Sequence, residues 1–74
     1  MITEGGELKQ MSLGENIREQ RHKRGLEQKE LALILGVSSP TISNIERDVK
    51  TPSLKTLKKI AHALRCKVSY LMKE

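Results

Sequence analysis

The feature that most constrains this chain is a short turn at residues 36–38, with the sequence GVS, between two segments that have helical periodicity. In the first segment, one helical stripe is apolar: Leu31, Ala32 and Leu35. Gly36 ends this helix, because glycine adopts the left-handed backbone conformation without a side-chain clash. Ser38 can then cap the next helix with its hydroxyl, and Pro40 is tolerated in the first helical turn. The sequence therefore predicts two short helices joined by a tight turn.

The second of these helices has two chemically different sides. At about 100° per residue, the inner half of residues 39–47 carries Thr41, Ile42, Ile45 and Glu46. The outer half carries Ser39, Pro40, Ser43, Asn44 and Arg47. Short hydrogen-bonding side chains, an exposed proline and an arginine suit a major groove, where base edges offer donors, acceptors and thymine methyls. An ordinary solvated face is the alternative from face chemistry alone; the helix pair, the turn and the basic charge together favour DNA.

The composition predicts one small helical domain. The chain has 74 residues, no Phe or Trp and one Tyr, so the core must be mostly aliphatic. The single cysteine, Cys66, can form no internal disulfide, and no cysteine pair suggests a zinc site. We interpret Cys66 as a small core or interface residue, with a reactive thiol as the alternative. We expect no metal and no cofactor.

Charge indicates an anionic partner. The net charge is +5, and because Glu4, Glu7 and Lys9 give residues 1–11 a net charge of −1, residues 12–74 carry +6. Such an excess favours polyanions through neutralisation of phosphates, although solvated lysines or an anionic membrane surface would also account for it. No apolar run is long enough to span a membrane, and the first residues lack the order of a secretory signal. We therefore expect a cytoplasmic protein.

The rest of the pattern predicts an all-α domain of five helices. Residues 1–11 are expected to form a flexible tail, and residues 12–74 the domain, with its helix-turn-helix at about 28–47. Ser12 and Glu15 have the spacing of a capping box, so a first helix can run from residue 13 to about residue 24. The second helix begins at residue 27 or 28, and the third covers about 39–47. Thr51-Pro52 is interpreted as the cap and first position of a fourth helix that extends to about residue 64, and a short fifth helix follows near residues 68–72.

One position of the first helix does not fit an apolar stripe. Leu13 and Ile17 define its inner face, and the next step of four lands on Arg21. A buried arginine needs an anionic partner, because an unpaired buried charge costs several kcal/mol. Glu46 lies on the inner side of the third helix and could accept a forked bond from the guanidinium. The alternative is that Arg21 extends to water.

Four motifs carry a family resemblance over about residues 13–72: LGENIREQR at 13–21, GLEQKELA at 25–32, LGVSSPTISNIER at 35–47 and TPSLKTLKKIAHAL at 51–64. The chain resembles the Cro and lambda-repressor-like helix-turn-helix family, also called the xenobiotic-response-element family. The resemblance implies a compact five-helix lambda-repressor-like DNA-binding domain whose third helix enters the major groove. It also implies that Arg21 and Glu46 form a structural ion pair.

The resemblance further implies a set of site residues. The base-reading positions correspond to Ser39, Pro40, Ser43 and Asn44, and the phosphate contacts to Gln28, Thr41, Arg47 and Lys50. Asn44 is our preferred specificity residue, because its amide can offer a donor and an acceptor to adenine, worth about 1–3 kcal/mol of discrimination. The chain departs from the family at Glu27, at Asp48 and at residues 65 and 67: the first two place carboxylates on the DNA side, and the last two leave the start of the fifth helix uncertain.

These observations predict a sequence-specific transcriptional regulator, expected to be a repressor, that binds double-stranded DNA as a homodimer on a two-fold operator. The expected dimer surface comprises Val68, Tyr70, Leu71 and Met72. The alternative is an antitoxin or adaptor whose helical body mainly binds a partner protein. An enzyme is not supported, since His22 and His62 stand alone on charged helical faces. We expect neither a small-molecule ligand nor membrane binding.

Overall fold

Five helices, and no strand, make up the part of the chain that the computed structural model describes, residues 11–72. They are α1 (Leu13–Lys23), α2 (Gln28–Leu35), α3 (Ser39–Glu46), α4 (Leu54–Ala63) and α5 (Val68–Leu71). The all-α fold predicted from the sequence is therefore confirmed. The predicted tail lies outside the described residues except for Met11. None of the described helices has the length and apolar character needed to cross a membrane.

Serine side chains cap the beginnings of three helices. The predicted capping box at α1 is present: the Ser12 hydroxyl accepts the Glu15 N–H at 3.1 Å, and the Glu15 carboxylate accepts the Ser12 N–H at 2.9 Å. At α3 the Ser38 hydroxyl accepts the Thr41 N–H at 3.3 Å, without a reciprocal bond. The predicted cap of α4 was wrong, because the N-cap is Ser53, whose hydroxyl accepts the Thr56 N–H at 3.1 Å. Thr51 and Pro52 both precede that cap, so the proline does not occupy a helical position.

Two glycines and two larger residues take left-handed backbone conformations. Gly25 and Gly36, with φ of 70° and 74°, follow α1 and α2. The others are Asp48 (φ 62°), after α3, and Arg65 (φ 58°), after α4. A side chain makes this conformation unfavourable, and aspartate tolerates it better than arginine. These are two of the positions where the sequence departs from the family that it resembles.

Asp48 is held by the first turn of α1. Its carboxylate accepts the Ser12 hydroxyl at 2.5 Å and the Gly14 N–H at 3.0 Å. A carboxylate suits the start of a helix, where unpaired N–H groups and the helix dipole favour negative charge. Asp48 therefore ties the turn between α3 and α4 to the beginning of α1.

The core lies where α2 packs against α3 and α4, and α1 packs against α3 and α5. Its most buried large side chains are aliphatic, as the composition predicts: Ile17, Leu31, Ile42, Ile60, Leu64 and Leu71. Leu71 was wrongly placed on the predicted dimer surface, since it has no exposed area. Its backbone carbonyl also accepts the Asn16 side-chain N–H at 2.8 Å, so α5 is anchored to α1 through this residue.

Candidate nucleic-acid interface

The third helix is fixed to the body by one side only. Ile42, Ile45 and Glu46 are 1%, 2% and 4% exposed, which matches the inner half of the predicted helical wheel. The outer residues all retain accessible surface; Pro40 and Arg47 are exposed, and the half-buried ones are Ser39, Ser43 and Asn44. The helix therefore presents a short polar face to solvent while its apolar face belongs to the core.

A buried ion pair determines how α3 sits against α1. Arg21 and Glu46, 6% and 4% exposed, meet in a forked arrangement, with Nε to Oε2 at 2.6 Å and Nη2 to Oε1 at 3.0 Å. The remaining guanidinium nitrogen, Nη1, donates to the Leu26 carbonyl at 2.8 Å. Such an arrangement satisfies both charges within a site that water reaches poorly. The last turn of α3 is thereby joined to α1 and to the loop between α1 and α2.

Gln28 belongs to the same network. Its side-chain nitrogen, Nε2, donates to Oε1 of Glu46 at 3.0 Å, so this oxygen accepts from both Gln28 and Arg21. The amide nitrogen has a second hydrogen that remains available to another acceptor. Sequence reasoning placed Gln28 at a phosphate but missed this bond, which depends on the distance between the first turn of α2 and the last turn of α3.

The end of α3 brings three of the predicted contact residues together. Arg47 Nη2 donates to Asn44 Oδ1 at 2.7 Å. The Asn44 backbone carbonyl accepts the N–H groups of Val49 and Lys50 at 2.9 and 3.2 Å, which closes the turn that carries Lys50. Thr41 lies at the other end of α3, where its hydroxyl shares a 2.8 Å hydrogen bond with Ser38.

The two carboxylates that depart from the family pattern differ in their contacts. That of Asp48 accepts hydrogen bonds from Ser12 and Gly14, which stabilise its charge without neutralising it, and the residue stays exposed. That of Glu27 is largely exposed, with Lys29 Nζ 3.9 Å away, and its neighbour in the chain is Gln28. Both carboxylates therefore place negative charge where an incoming anion would meet it.

The other predicted side chains lie elsewhere. On α5 and just after it, Val68 is half-buried against the core, while Tyr70 and Met72 are 39% and 53% exposed. Cys66 is half-buried against the core, and burial raises the pKa of its thiol despite the opposing charge of Arg24. Residues 11–72 contain no group of His, Cys, Asp and Glu side chains that could hold a metal ion.

Comparison with known proteins places these features in context. The helix-turn-helix family model matches residues 17–71. The HTH-type transcriptional regulator ImmR of Bacillus subtilis (strain 168) is 39% identical over 62 residues, which are 84% of this chain and 49% of ImmR. The chain thus spans about half the length of that relative.

Two of the solved structures that are similar to this chain contain DNA. The P22 c2 repressor in complex with a synthetic operator superposes with a TM-score of 0.81 at 36% identity, over 86% of this chain and 97% of that one. SinR in complex with DNA gives a TM-score of 0.74 at 35% identity, over 80% and 95% of the two chains.

Proposed function

This chain belongs to the Cro/C1-type helix-turn-helix family, and we propose that it is a transcriptional regulator, with repression as the expected activity, that binds operator DNA in the cytoplasm. The observation that carries the proposal is the two-sided character of α3. Ile42, Ile45 and Glu46 hold one side in the body, and a polar side of the size and chemistry that a major groove accepts remains accessible. The similarity to the operator-bound P22 c2 repressor supports the same use of this side.

We assign base reading to Ser39, Pro40, Ser43 and Asn44. Asn44 contributes most to specificity, since a side-chain amide can form two hydrogen bonds with adenine. In the uncomplexed chain Arg47 holds the Asn44 oxygen at 2.7 Å. On DNA, Arg47 turns to a phosphate, which releases this oxygen for a base edge.

Phosphate contacts are assigned to Gln28, Thr41, Arg47 and Lys50. Gln28 keeps one amide hydrogen on Glu46 and gives the other to a phosphate oxygen, so the buried ion pair orients the residue that grips the DNA backbone. The exposed Glu27 weakens this contact through repulsion, an effect that added salt reduces.

We further propose that two copies of the chain pair through Val68, Tyr70 and Met72 and bind a two-fold operator together. One small module buries little DNA surface, and a pair of modules raises both affinity and specificity. Half-sites are then separated by about 10–10.5 base pairs or a multiple of that spacing.

Selection of bound fragments from random DNA, followed by gel-shift assays, tests the proposal. We expect a palindromic consensus, and Asn44→Ala should weaken binding to it by about 1–3 kcal/mol, or roughly 5- to 150-fold, with little change on scrambled DNA. Arg47→Ala should weaken binding to both DNAs and reduce the salt dependence. Arg18→Ala is the matched control, because Arg18 is an exposed arginine on α1 outside the assigned face. Equal affinity for consensus and scrambled DNA, or unchanged binding by both variants, would refute the assignment.

A further inference from the structure

Two adjoining depressions with cationic rims lie beside α4, one against the end of α2 and the other against the end of α1 and the loop after it. They share the apolar side chains of Ile34, 57% exposed, and the half-buried Ala63, so we treat them as one surface. Lysine and arginine side chains line both parts of it: Lys58 and Lys59 at one, Lys23 and Arg65 at the other. We call this surface the α2–α4 groove. None of its residues belongs to the proposed DNA contacts.

No acidic side chain lines the groove. Residues 49–72 contain six Lys or Arg residues and no Asp or Glu. Within the described part of the chain, the ion pairs are Arg21–Glu46 and Lys29–Glu27, so no described carboxylate pairs with Lys58, Lys59 or Arg65. An occupant of the groove should therefore supply negative charge.

The backbone of the rim at Leu64 and Arg65 is held in place by the side chain of Arg24. Arg24 Nε donates to the Leu64 carbonyl at 2.8 Å, and its Nη2 donates to the Arg65 carbonyl at 3.3 Å. Arg65 takes the left-handed conformation, with φ 58°, where glycine would be unstrained. Strained residues concentrate at functional sites, and a binding role gives a reason for an arginine at this position.

The chemistry of the groove disfavours two other occupants. A DNA backbone would have to desolvate its phosphates against the side chain of Ile34, which offers them no hydrogen bond. A second copy packed groove to groove would oppose lysines with lysines, because a two-fold contact pairs each surface with itself.

We propose that the α2–α4 groove binds an acidic amphipathic helix of a partner protein. Leucine-like side chains of that helix contact Ile34 and Ala63, and its flanking carboxylates pair with Lys58 and Lys59 on one side and Arg65 on the other. This is the helix-in-groove mode of recognition, in which apolar residues provide affinity and surrounding charges provide orientation. The proposal does not depend on base reading by α3.

Titration of the full chain with synthetic peptides, followed by amide NMR shifts, tests the proposal. The first peptide carries leucines at helical spacing and glutamates elsewhere, the second has the same composition in scrambled order, and the third has lysines in place of the glutamates. We expect the first peptide to shift the amides of Ile34, Lys58 and Ala63, with an affinity that falls as salt is added. The scrambled and basic peptides should bind at least about tenfold more weakly. The scrambled peptide lacks the apolar stripe, and the basic peptide lacks the negative charge.

Matched variants separate the groove from general charge attraction. Ile34→Ser should weaken the first peptide at least about tenfold, whereas Leu33→Ser should change its affinity less than about twofold, because Leu33 is 83% exposed and lies outside the groove. Lys58→Ala should weaken binding, and Lys55→Ala should not, since Lys55 does not line the groove. Circular dichroism establishes whether each variant folds. If Ile34→Ser does not fold, the comparison of Lys58→Ala with Lys55→Ala tests the proposal.

Several results would overturn the proposal. Equal binding of the striped and scrambled acidic peptides would show charge attraction alone, and equal losses for Ile34→Ser and Leu33→Ser would remove the groove from the interaction. If Lys58→Ala weakened binding to operator DNA or to anionic phospholipid vesicles, but not to the peptide, the surface would bind phosphates instead. Unchanged operator affinity for Ile34→Ser is expected, which keeps this proposal separate from the function of α3.

Discussion

Removal of one partner of the buried Arg21–Glu46 pair should destabilise the domain severely. Arg21→Met leaves the carboxylate of Glu46, 4% exposed, with a single neutral donor from Gln28 at 3.0 Å. Glu46→Leu leaves the guanidinium, 6% exposed, without a counter-charge. Each change should cost about 3–5 kcal/mol, the usual cost of an uncompensated buried charge. At roughly 0.05–0.15 kcal/mol per residue, a domain of this length has about 4–11 kcal/mol of stability in total. Either variant should therefore lose from about a quarter to all of this stability.

Replacement of both partners should be far less harmful than two single losses. In Arg21→Met with Glu46→Leu no charge remains buried, and the residual cost comes from the Leu26 carbonyl and the Gln28 amide, which lose their partners, at about 1–3 kcal/mol each. The double variant should therefore be at least about 2 kcal/mol more stable than the sum of the single losses predicts.

Urea unfolding followed by far-UV circular dichroism measures these free energies, and it suits a chain that has no tryptophan. Arg18→Met is the matched control, since Arg18 lies one turn earlier on α1 and is exposed, and its loss should stay within about 0.5 kcal/mol. If the single losses simply added, or if neither single variant unfolded at lower urea than the wild type, the pair would not hold α3 to α1 as we describe.

The other predictions concern single positions. Arg65→Gly should raise the free energy of unfolding by about 1 kcal/mol, because glycine adopts the left-handed conformation without strain. Asp48→Gly should lower it by about 1 kcal/mol, because the lost bonds to Ser12 and Gly14 outweigh the same relief. Melting temperatures that shift in the same direction for both variants would contradict this contrast. Gly14→Ala should lower the free energy of unfolding in urea by about 1–3 kcal/mol, since an added Cβ would lie 2.6 Å from the Glu46 carbonyl oxygen and close to that of Ile45. The helix preference for alanine alone predicts a gain in stability, and such a gain would contradict the close contact. Burial raises the pKa of the Cys66 thiol, so less thiolate should exist in the folded than in the unfolded chain at mildly alkaline pH. Iodoacetamide should therefore react more slowly with the folded chain, and the stability gained from the protonated thiol should be lost as the pH rises through the raised pKa; equal alkylation rates would rule this out.

The helices and their inner faces could be predicted because they depend on local periodicity. The stripe of α3, its Ser38 cap and the capping box of α1 are patterns within a few residues, and all appear in the structure. The pairing of Arg21 with Glu46 was also accessible, because a charge at a core position requires a partner and few candidates existed.

The features that sequence reasoning missed depend on distances between elements. The bond from Gln28 to Glu46 and the bonds from Asp48 to α1 join residues 18 to 36 positions apart, with no periodic signal. The burial of Leu71 follows from how α5 docks on α1, and one helical turn is too short for a pattern to show its inner side. At α4, the Thr51-Pro52 pattern suggested a cap two residues too early, and only the observed hydrogen bond from the Thr56 N–H identifies Ser53 as the N-cap.

The bond between Asp48 and Ser12 also places the beginning of the domain close to its assigned DNA surface. Because Ser12 is held at the residue that follows Arg47, the first residue of the domain lies beside the turn assigned to phosphate contact. A charged tag at this end of the chain would therefore change the measured DNA affinity: a lysine run would raise it, and an acidic leader would lower it. Binding constants for this protein should therefore be measured with the tag removed.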